Sequence, residues 1–92
     1  MNAELARTCG QLGVYCWINS GEITQHGTGW VDAVCIGQRG ALFIENKTID
    51  GRRTQAQRRV ALLLIGRGLE YRMYRPYHYE DGLVRKDLEA IA

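Results

Sequence analysis

Residues 30–47 read WVDAVCIGQRGALFIENK, and this segment contains two runs that are rich in β-forming residues. The first run is Trp30–Ile36, the second is Ala41–Lys47, and a short loop bounded by Gly37 and Gly40 separates them. Two such runs around a short glycine-bounded loop predict an antiparallel hairpin. Because successive side chains of a strand point to opposite faces, the register of this hairpin decides which of its charged residues lie together.

Three charged side chains fall on one face in the simplest register. If Ile36 pairs with Ala41, Asp32 lies directly opposite Glu45, and opposed residues of an antiparallel pair project to the same face. Lys47 is two residues beyond Glu45 and therefore shares that face. A register slip of one residue would separate Asp32 from the other two, whereas a slip of two would keep all three together.

Two opposed carboxylates destabilise a sheet unless something compensates them, and a divalent cation would do so. Mg²⁺ accepts a few carboxylate oxygens, retains several waters and takes phosphate oxygens of a substrate. A nearby lysine could orient a water nucleophile or stabilise the charge that builds up on phosphorus. The hairpin therefore predicts a phosphodiesterase site at Asp32, Glu45 and Lys47. The alternative is that both acids are ordinary solvent-facing residues, and the apolar neighbours Val34 and Phe43 weigh against it.

The rest of the chain predicts a single α/β or α+β domain over residues 1–92, with a mixed β-sheet flanked by helices. The element order is α-β-β-β-α-β-α, because a helical crossover usually returns the next strand in parallel. Thr54 and Gln57 fit a capping box at the start of the long helix, and Gly68 fits its end. The further predicted elements are a helix over Asn2–Gln11, a strand over Val14–Asn19, a helix over Thr54–Arg67, a strand over Leu69–Arg75 closed by Pro76, and a helix over Leu83–Ala92, with loops at 20–29 and 77–82.

Composition is that of a globular protein, since 46% of the residues are hydrophobic and 24% are charged. The net charge of +2 says little about partners, but arginines cluster within residues 52–59. Arginine suits phosphate recognition through its planar fork of donors, although a solvated charged face is the alternative. The apolar stretches are too short to span a bilayer and no secretory signal is visible, so we expect a soluble intracellular protein.

Three cysteines, Cys9, Cys16 and Cys35, make an odd number without CxxC spacing. This pattern argues against a disulfide framework or a zinc site and favours a reducing cytosol. Cys16 and Cys35 lie in apolar runs, where a buried structural thiol is the expected role.

The long helix carries more apolar residues than one buried stripe needs. Val60, Leu63 and Leu64 define a core-facing stripe at helical spacing, and Leu62 and Ile65 fall outside it. This surplus predicts a subunit interface. The alternative is that the last helix packs over it.

These residues together resemble the VRR-Nuc domain family of the PD-(D/E)xK nucleases. The similarity runs from Asn19 to Ala92, and one departure is Val31, which stands where the family usually has proline. The motifs that carry it are the strand end Asn19-Ser20-Gly21, the run Gly29-Trp30-Val31-Asp32, the strand Leu42-Phe43-Ile44-Glu45-Asn46-Lys47, the turn Gly51-Arg52, the helix start Thr54–Gln57, and Gly68 followed by the strand Leu69–Arg75.

The resemblance implies a restriction-endonuclease-like core and a Mg²⁺ or Mn²⁺ site. Asp32 and Glu45 would be metal ligands together with the backbone carbonyl of Asn46, and Lys47 would be the catalytic lysine. Gln57 would be a further site residue, for which the alternative is helix capping alone, and the two roles are compatible. The family's frequent acid on the first helix would correspond to Glu4.

The resemblance also implies a homodimeric, structure-selective endonuclease that cuts branched DNA such as Holliday junctions. Arg52, Arg53 and Arg58 would bind DNA phosphates, and His26 could touch the substrate or be a solvated loop residue. Such stand-alone members are typically phage-borne, so a phage or prophage origin and the cytoplasm of a bacterial host follow. The alternatives are a nonspecific or nicking endonuclease and a catalytically silent DNA-binding module.

Overall fold

The computed structural model describes residues 1–19 and 29–92. A mixed four-stranded sheet flanked by helices confirms the predicted fold class. The elements, in chain order, are helix α1 (Asn2–Leu12), strands β1 (Tyr15–Ile18), β2 (Ala33–Ile36) and β3 (Ala41–Asn46), helix α2 (Gln55–Gly66), strand β4 (Tyr71–Tyr74), and helices α3 (Pro76–Glu80) and α4 (Leu83–Ile91).

The strands lie in the order β1-β2-β3-β4, with antiparallel neighbours except for the parallel pair β3 and β4. Ile36 pairs with Ala41, so the predicted hairpin register is confirmed. Helix α2 connects β3 to β4, and such a crossover returns the chain to the same end of the sheet. The parallel register places Glu45 beside Met73.

The two faces of the sheet are packed differently. One face holds the main core, in which Leu5 of α1 and Leu88 of α4 cover residues of β2 and β3 such as Cys35 and Ile44. Strand alternation puts Glu45 on the opposite face, on the side of α2. Glu45 therefore lies on the face that the main core leaves free.

Strand β2 is shorter than predicted, since it begins at Ala33 and not at Trp30. The ladder with β3 ends at the pair Ala33 and Ile44, and the backbone bends at Asp32, whose N–H also donates to the carbonyl of Ile44 at 2.9 Å. Trp30 lies before the start of β2 and packs edge-on against Phe43, with ring centroids 6.2 Å apart. Packing of this aromatic ring, which a strand pattern does not reveal, explains the difference.

Both ends of α2 follow the local signals. Thr54 accepts a hydrogen bond from the N–H of Gln57, whose side chain accepts one from the N–H of Thr54, which is the predicted capping box. At the other end Gly68 adopts a φ of +74°, and the N–H of Leu69 donates to the carbonyl of Leu64. These contacts form a Schellman motif, in which glycine tolerates the left-handed backbone.

The predicted loop after Pro76 contains a short helix, α3, so this prediction was wrong. Proline is favoured at the first position of a helix because its missing N–H would be unbonded there anyway. The imidazole Nδ1 of His78 accepts a hydrogen bond from the N–H of Arg75, which fixes the start of α3 and gives His78 a structural role. None of the helices within residues 1–19 and 29–92 combines the length and apolarity needed to cross a bilayer.

The buried stripe of α2 differs from the predicted one. Ala61 and Leu64 are buried, whereas Leu63 is 49% exposed. Leu62 and Ile65 are more exposed still, at 70% and 55%. Helix α4 packs against α1, α3 and β3 on the opposite face of the sheet, so it does not cover these residues. The predicted apolar surplus is therefore real and lies on the surface.

The packing of α4 against the hairpin loop can be tested with two glycine substitutions. A Cβ on Gly37 would overlap the backbone carbonyl of Ile91, whereas one on Gly10 in α1 would meet nothing within 4 Å. We expect Gly37→Ala to lower the free energy of unfolding by about 1–3 kcal/mol. Gly10→Ala should raise it by about 0.5–1 kcal/mol, because alanine favours a helix interior. Urea unfolding measures both changes, and equal stabilities of the two variants would contradict this packing.

Candidate active site

Asp32 lies immediately before β2 and hydrogen-bonds to the backbone on both sides of Glu45. Its N–H donates to the carbonyl of Ile44 at 2.9 Å, and its Oδ2 accepts a hydrogen bond from the N–H of Asn46 at 2.7 Å. The expected direct pair of Asp32 with Glu45 lies one step beyond the observed ladder. The bend nevertheless keeps the carboxylate of Asp32 against the backbone that carries Glu45.

Glu45 is a buried carboxylate, only 2% exposed, in the middle of the sheet. Its Oε1 accepts a hydrogen bond from the hydroxyl of Tyr71 at 2.6 Å. Its Oε2 lies 3.5 Å from the ammonium of Lys47 and has no hydrogen-bond donor among the described residues. Burial of a charged group is costly unless it is fully paired, so this oxygen is the least satisfied polar atom of the site.

Lys47 is held by the start of α2. Its ammonium donates a hydrogen bond of 2.8 Å to Oε1 of Gln57, the same oxygen that accepts the N–H of Thr54 at 2.8 Å. One amide oxygen of Gln57 therefore both caps the helix and orients the lysine. Its part in catalysis stays a prediction. The capping box of α2 and the position of the ammonium beside Glu45 depend on each other.

Tyr71 on β4 is a site residue that sequence analysis missed. Burial, followed by the hydrogen bond to Glu45 and its charge, raises the pKa of Tyr71 above its usual value, and the nearby Arg53 opposes this shift. The hydroxyl therefore stays protonated at neutral pH and donates to the carboxylate. Strand alternation in the sequence assigns Tyr71 only to sheet packing. The parallel register of β4 with β3, which the alternation does not reveal, brings Tyr71 to Glu45.

Asn46 is fixed through its side chain. Its Oδ1 accepts a hydrogen bond from the hydroxyl of Tyr79 at 2.6 Å, and its Nδ2 donates to Oδ1 of Asn2 at 3.0 Å. Burial raises the pKa of Tyr79, so this donor is also kept protonated. An open cleft of about 280 Å³ lies here, lined by Met1, Asn2, Asp32 and Asn46. The first helix thus contributes polar atoms beside the acid.

The three predicted DNA-binding arginines come together. A cleft of about 290 Å³ is lined by Arg52, Arg53, Arg58, Met73 and Arg75. Met73 is the β4 neighbour of Glu45, so this arginine cleft opens on the face that carries the buried acid. Arg59 is not among the residues that line it. Clustered guanidinium groups form a site for anions, and phosphate is the anion whose geometry they match.

Arg75 is a second residue that sequence analysis missed. Its guanidinium donates to the backbone carbonyls of Thr48 at 2.6 Å and Gly51 at 2.8 Å. These contacts fold the 48–51 turn, in which a Cβ on Gly51 would come within 2.7 Å of Oγ1 of Thr48. Arg75 therefore holds the segment between Lys47 and Arg52. Nothing local in the sequence marks it, because the contacts span more than twenty residues.

Two sequence candidates remain apart from this cluster. Glu4 is exposed on α1 and does not line the cleft beside Asp32, although its charge reaches Tyr79. His26 lies outside the described residues. The structure thus brings together the carboxylate of Glu45 with Lys47 and Gln57, holds Asp32 on the adjoining backbone, and leaves Glu4 on the surface.

Comparison with known proteins adds no relative, since no family model, no curated protein and no solved structure matches this chain. The carboxylates of Asp32 and Glu45 are oxygen donors of the kind that hard divalent cations prefer.

Metal binding at Glu45 can be tested by thermal unfolding. We expect Mn²⁺ or Mg²⁺ to raise the unfolding temperature of the wild type, because a ligand of the folded state stabilises it by about 2.7 kcal/mol at roughly 100 times its Kd. Glu45→Gln should abolish the increase, since the neutral amide loses the charge that would bind the ion. Glu70→Gln is the matched control, because Glu70 is an exposed acid that pairs with Arg72. An equal increase in Glu45→Gln would rule out this carboxylate as a ligand.

Proposed function

We propose that this protein is a Mg²⁺- or Mn²⁺-dependent, structure-selective DNA endonuclease with a restriction-endonuclease-like core, similar to the VRR-Nuc domains. The observation that carries the proposal is the oxygen Oε2 of Glu45, which is buried, lacks a hydrogen-bond donor among the described residues, and faces the ammonium of Lys47. A carboxylate held in this way costs stability and is retained where its chemistry is needed.

The residues present fit a divalent cation. Oε2 of Glu45 is free of hydrogen bonds from the described residues, and Asp32 uses one oxygen on the N–H of Asn46, which leaves the other for an ion. The backbone carbonyl of Asn46 would complete the protein's share of the ligands. A bound Mg²⁺ or Mn²⁺ would supply charge stabilisation and an activated water for phosphodiester hydrolysis.

The lysine carries the second part of the chemistry. The ammonium of Lys47 is fixed between Glu45 and Gln57, so it meets an incoming phosphate without first losing rotamer freedom. There it stabilises the negative charge that grows on the phosphoryl oxygens. Gln57 and Tyr71 are positioning residues, because they contact the lysine and the acid and not the reacting atoms.

The arginine cleft supplies the contacts to the nucleic acid. Arg52, Arg53 and Arg58 present guanidinium groups on the face of Glu45, and phosphate contacts fix a protein on DNA without reading its sequence. A substrate recognised in this way is distinguished by the shape and flexibility of its backbone. This favours branched DNA, in which the strands bend away from a regular duplex.

The exposed apolar face of α2 supports a homodimer. Leu62, Leu63 and Ile65 are about half exposed or more, and Tyr15 and Ile36 are also exposed, on the sheet face that carries Glu45. Exposed apolar surface of this kind marks protein interfaces. A two-fold dimer would present two sites to a symmetric four-way junction and allow cuts on two strands.

Two other functions make different predictions. A nonspecific or nicking endonuclease would use the same acids and lysine but cut linear duplex as well as junctions. A catalytically silent DNA-binding module would keep the arginine cleft without a need for the buried acid. The cost of burying Glu45 beside Lys47 favours the enzyme over the silent module.

Cleavage of a four-way junction and of a linear duplex, each with Mg²⁺, Mn²⁺ or EDTA, tests the activity. We expect cleavage of the junction that depends on the metal and is lost in Lys47→Ala by about 100-fold or more, since charge stabilisation in a transition state is worth that much. Circular dichroism and DNA binding of the variant should stay close to wild type.

Arg58→Gln provides the contrasting variant, because Arg58 lines the arginine cleft and is not one of the partners of Glu45. It should weaken junction binding and lower the slope of log Kd against log salt by about 1. Arg85→Gln is its control, since Arg85 pairs with Gln11 away from that cleft. Absence of cleavage of every substrate in both metals would exclude an enzymatic function. Equal cleavage of duplex and junction would contradict structure selectivity and favour a nonspecific nuclease.

Sedimentation velocity tests the dimer. Leu62→Glu places a charge on the exposed apolar face of α2 and should yield a monomer without loss of fold. Leu83→Glu is the matched control, because Leu83 is an exposed leucine of α4 on the other side of the sheet. A wild type that is monomeric at all concentrations, or a Leu62→Glu variant that still dimerises, would contradict the proposed interface.

A further inference from the structure

The three cysteines of the chain meet in the core although they belong to three elements. Cys9 comes from α1, while Cys16 of β1 and Cys35 of β2 are direct partners in the antiparallel ladder. Their three sulfur atoms all lie within 4.8 Å of one another, and the Sγ atoms of Cys9 and Cys35 are 3.5 Å apart. The irregular spacing of these residues argued against a metal site, so this convergence is a product of the tertiary fold.

We propose that Cys9, Cys16 and Cys35 form a binding site for a trivalent, thiol-seeking metalloid, of which arsenite is the simplest form. Three sulfur donors within 4.8 Å of one another match a ligand that takes three sulfurs. The site is separate from the acidic site, whose donors are oxygens and favour hard cations. It does not depend on the proposed nuclease function.

The apolar surroundings of the three sulfur atoms determine which ionic charge the site favours. Cys9 and Cys35 are fully buried and pack with apolar core residues such as Leu5 and Val14. Three thiolates around a monovalent or a divalent ion carry a net negative charge, and a buried uncompensated charge is costly. Three thiolates around a trivalent ion are neutral, so the apolar core favours that complex over copper(I) or zinc.

The reaction with arsenous acid also suits thiols that remain protonated. Desolvation raises the pKa of Cys9 to about 11 and raises that of Cys35 further, so both are thiols at neutral pH. Three sulfur–arsenic bonds form and three arsenic–oxygen bonds break. Each hydroxide leaves with one thiol proton as water. Arsenic stays trivalent, and neither an oxidant nor a reductant is needed. Cys16 is only partly buried and provides the point of entry.

Native mass spectrometry and thermal unfolding with sodium arsenite test this site on the whole protein under reducing, thiol-free conditions. We expect one arsenic atom per chain with the loss of three hydrogens, and a higher unfolding temperature, because the ligand binds the folded state. Arsenite should also protect Cys16 from alkylation. Cys16→Ser keeps the two fully buried thiols and should weaken binding by about 100-fold or more through the loss of one linked donor.

Circular dichroism of Cys16→Ser checks that the variant is folded, which its partly buried position favours. The proposal is overturned if no adduct forms, if fewer than three hydrogens are lost, or if Cys16→Ser binds as tightly as the wild type. A lowered unfolding temperature would mean that arsenite traps the unfolded chain and would also overturn it. Binding of Zn²⁺ as tight as that of arsenite would overturn the inference that the apolar core favours a trivalent ion.

Discussion

The buried carboxylate of Glu45 ties together the strands and the helix around it. It accepts a hydrogen bond from Tyr71 on β4 and faces Lys47, whose ammonium is held by Gln57 at the start of α2. A charge in the sheet is tolerated only if such partners are fixed, because each would cost several kcal/mol if left unpaired. The parallel pairing of β3 with β4 and the capping box of α2 are therefore parts of the same arrangement as the candidate catalytic groups.

The two faces of the sheet carry different kinds of residues. On one face, α1 and α4 bury residues of β2 and β3 in the main core, which includes the largest fully buried side chains such as Leu5 and Leu88. The other face carries Glu45, the arginine cleft and the exposed leucines of α2. Ninety-two residues can form only a small core, so concentrating apolar burial on one side of the sheet leaves the opposite side able to hold polar groups.

Local features of the structure could be predicted from the sequence. The register of Ile36 with Ala41 follows from a short loop, and the capping box of Thr54 and the glycine at 68 follow from residues three or four positions apart. Proline at 76 shows the limit of this kind of inference, because the same residue ends a strand and begins a helix. The predicted start of β2 was wrong because Trp30 packs on Phe43 and does not pair along the strand.

The sequence by itself determined the mixed α+β class, the hairpin that carries Asp32, Glu45 and Lys47, and the clustering of arginines after it. Only the tertiary structure decided that Tyr71 donates to Glu45, that Arg75 folds the turn after Lys47, and that three cysteines from separate elements converge. The physical reason is sequence separation. Contacts within a hairpin or a helix turn are fixed by backbone geometry, which residue spacing reveals. Contacts between β3 and β4, or between α1 and the sheet, depend on how whole elements pack. Residue spacing in the sequence does not reveal this packing.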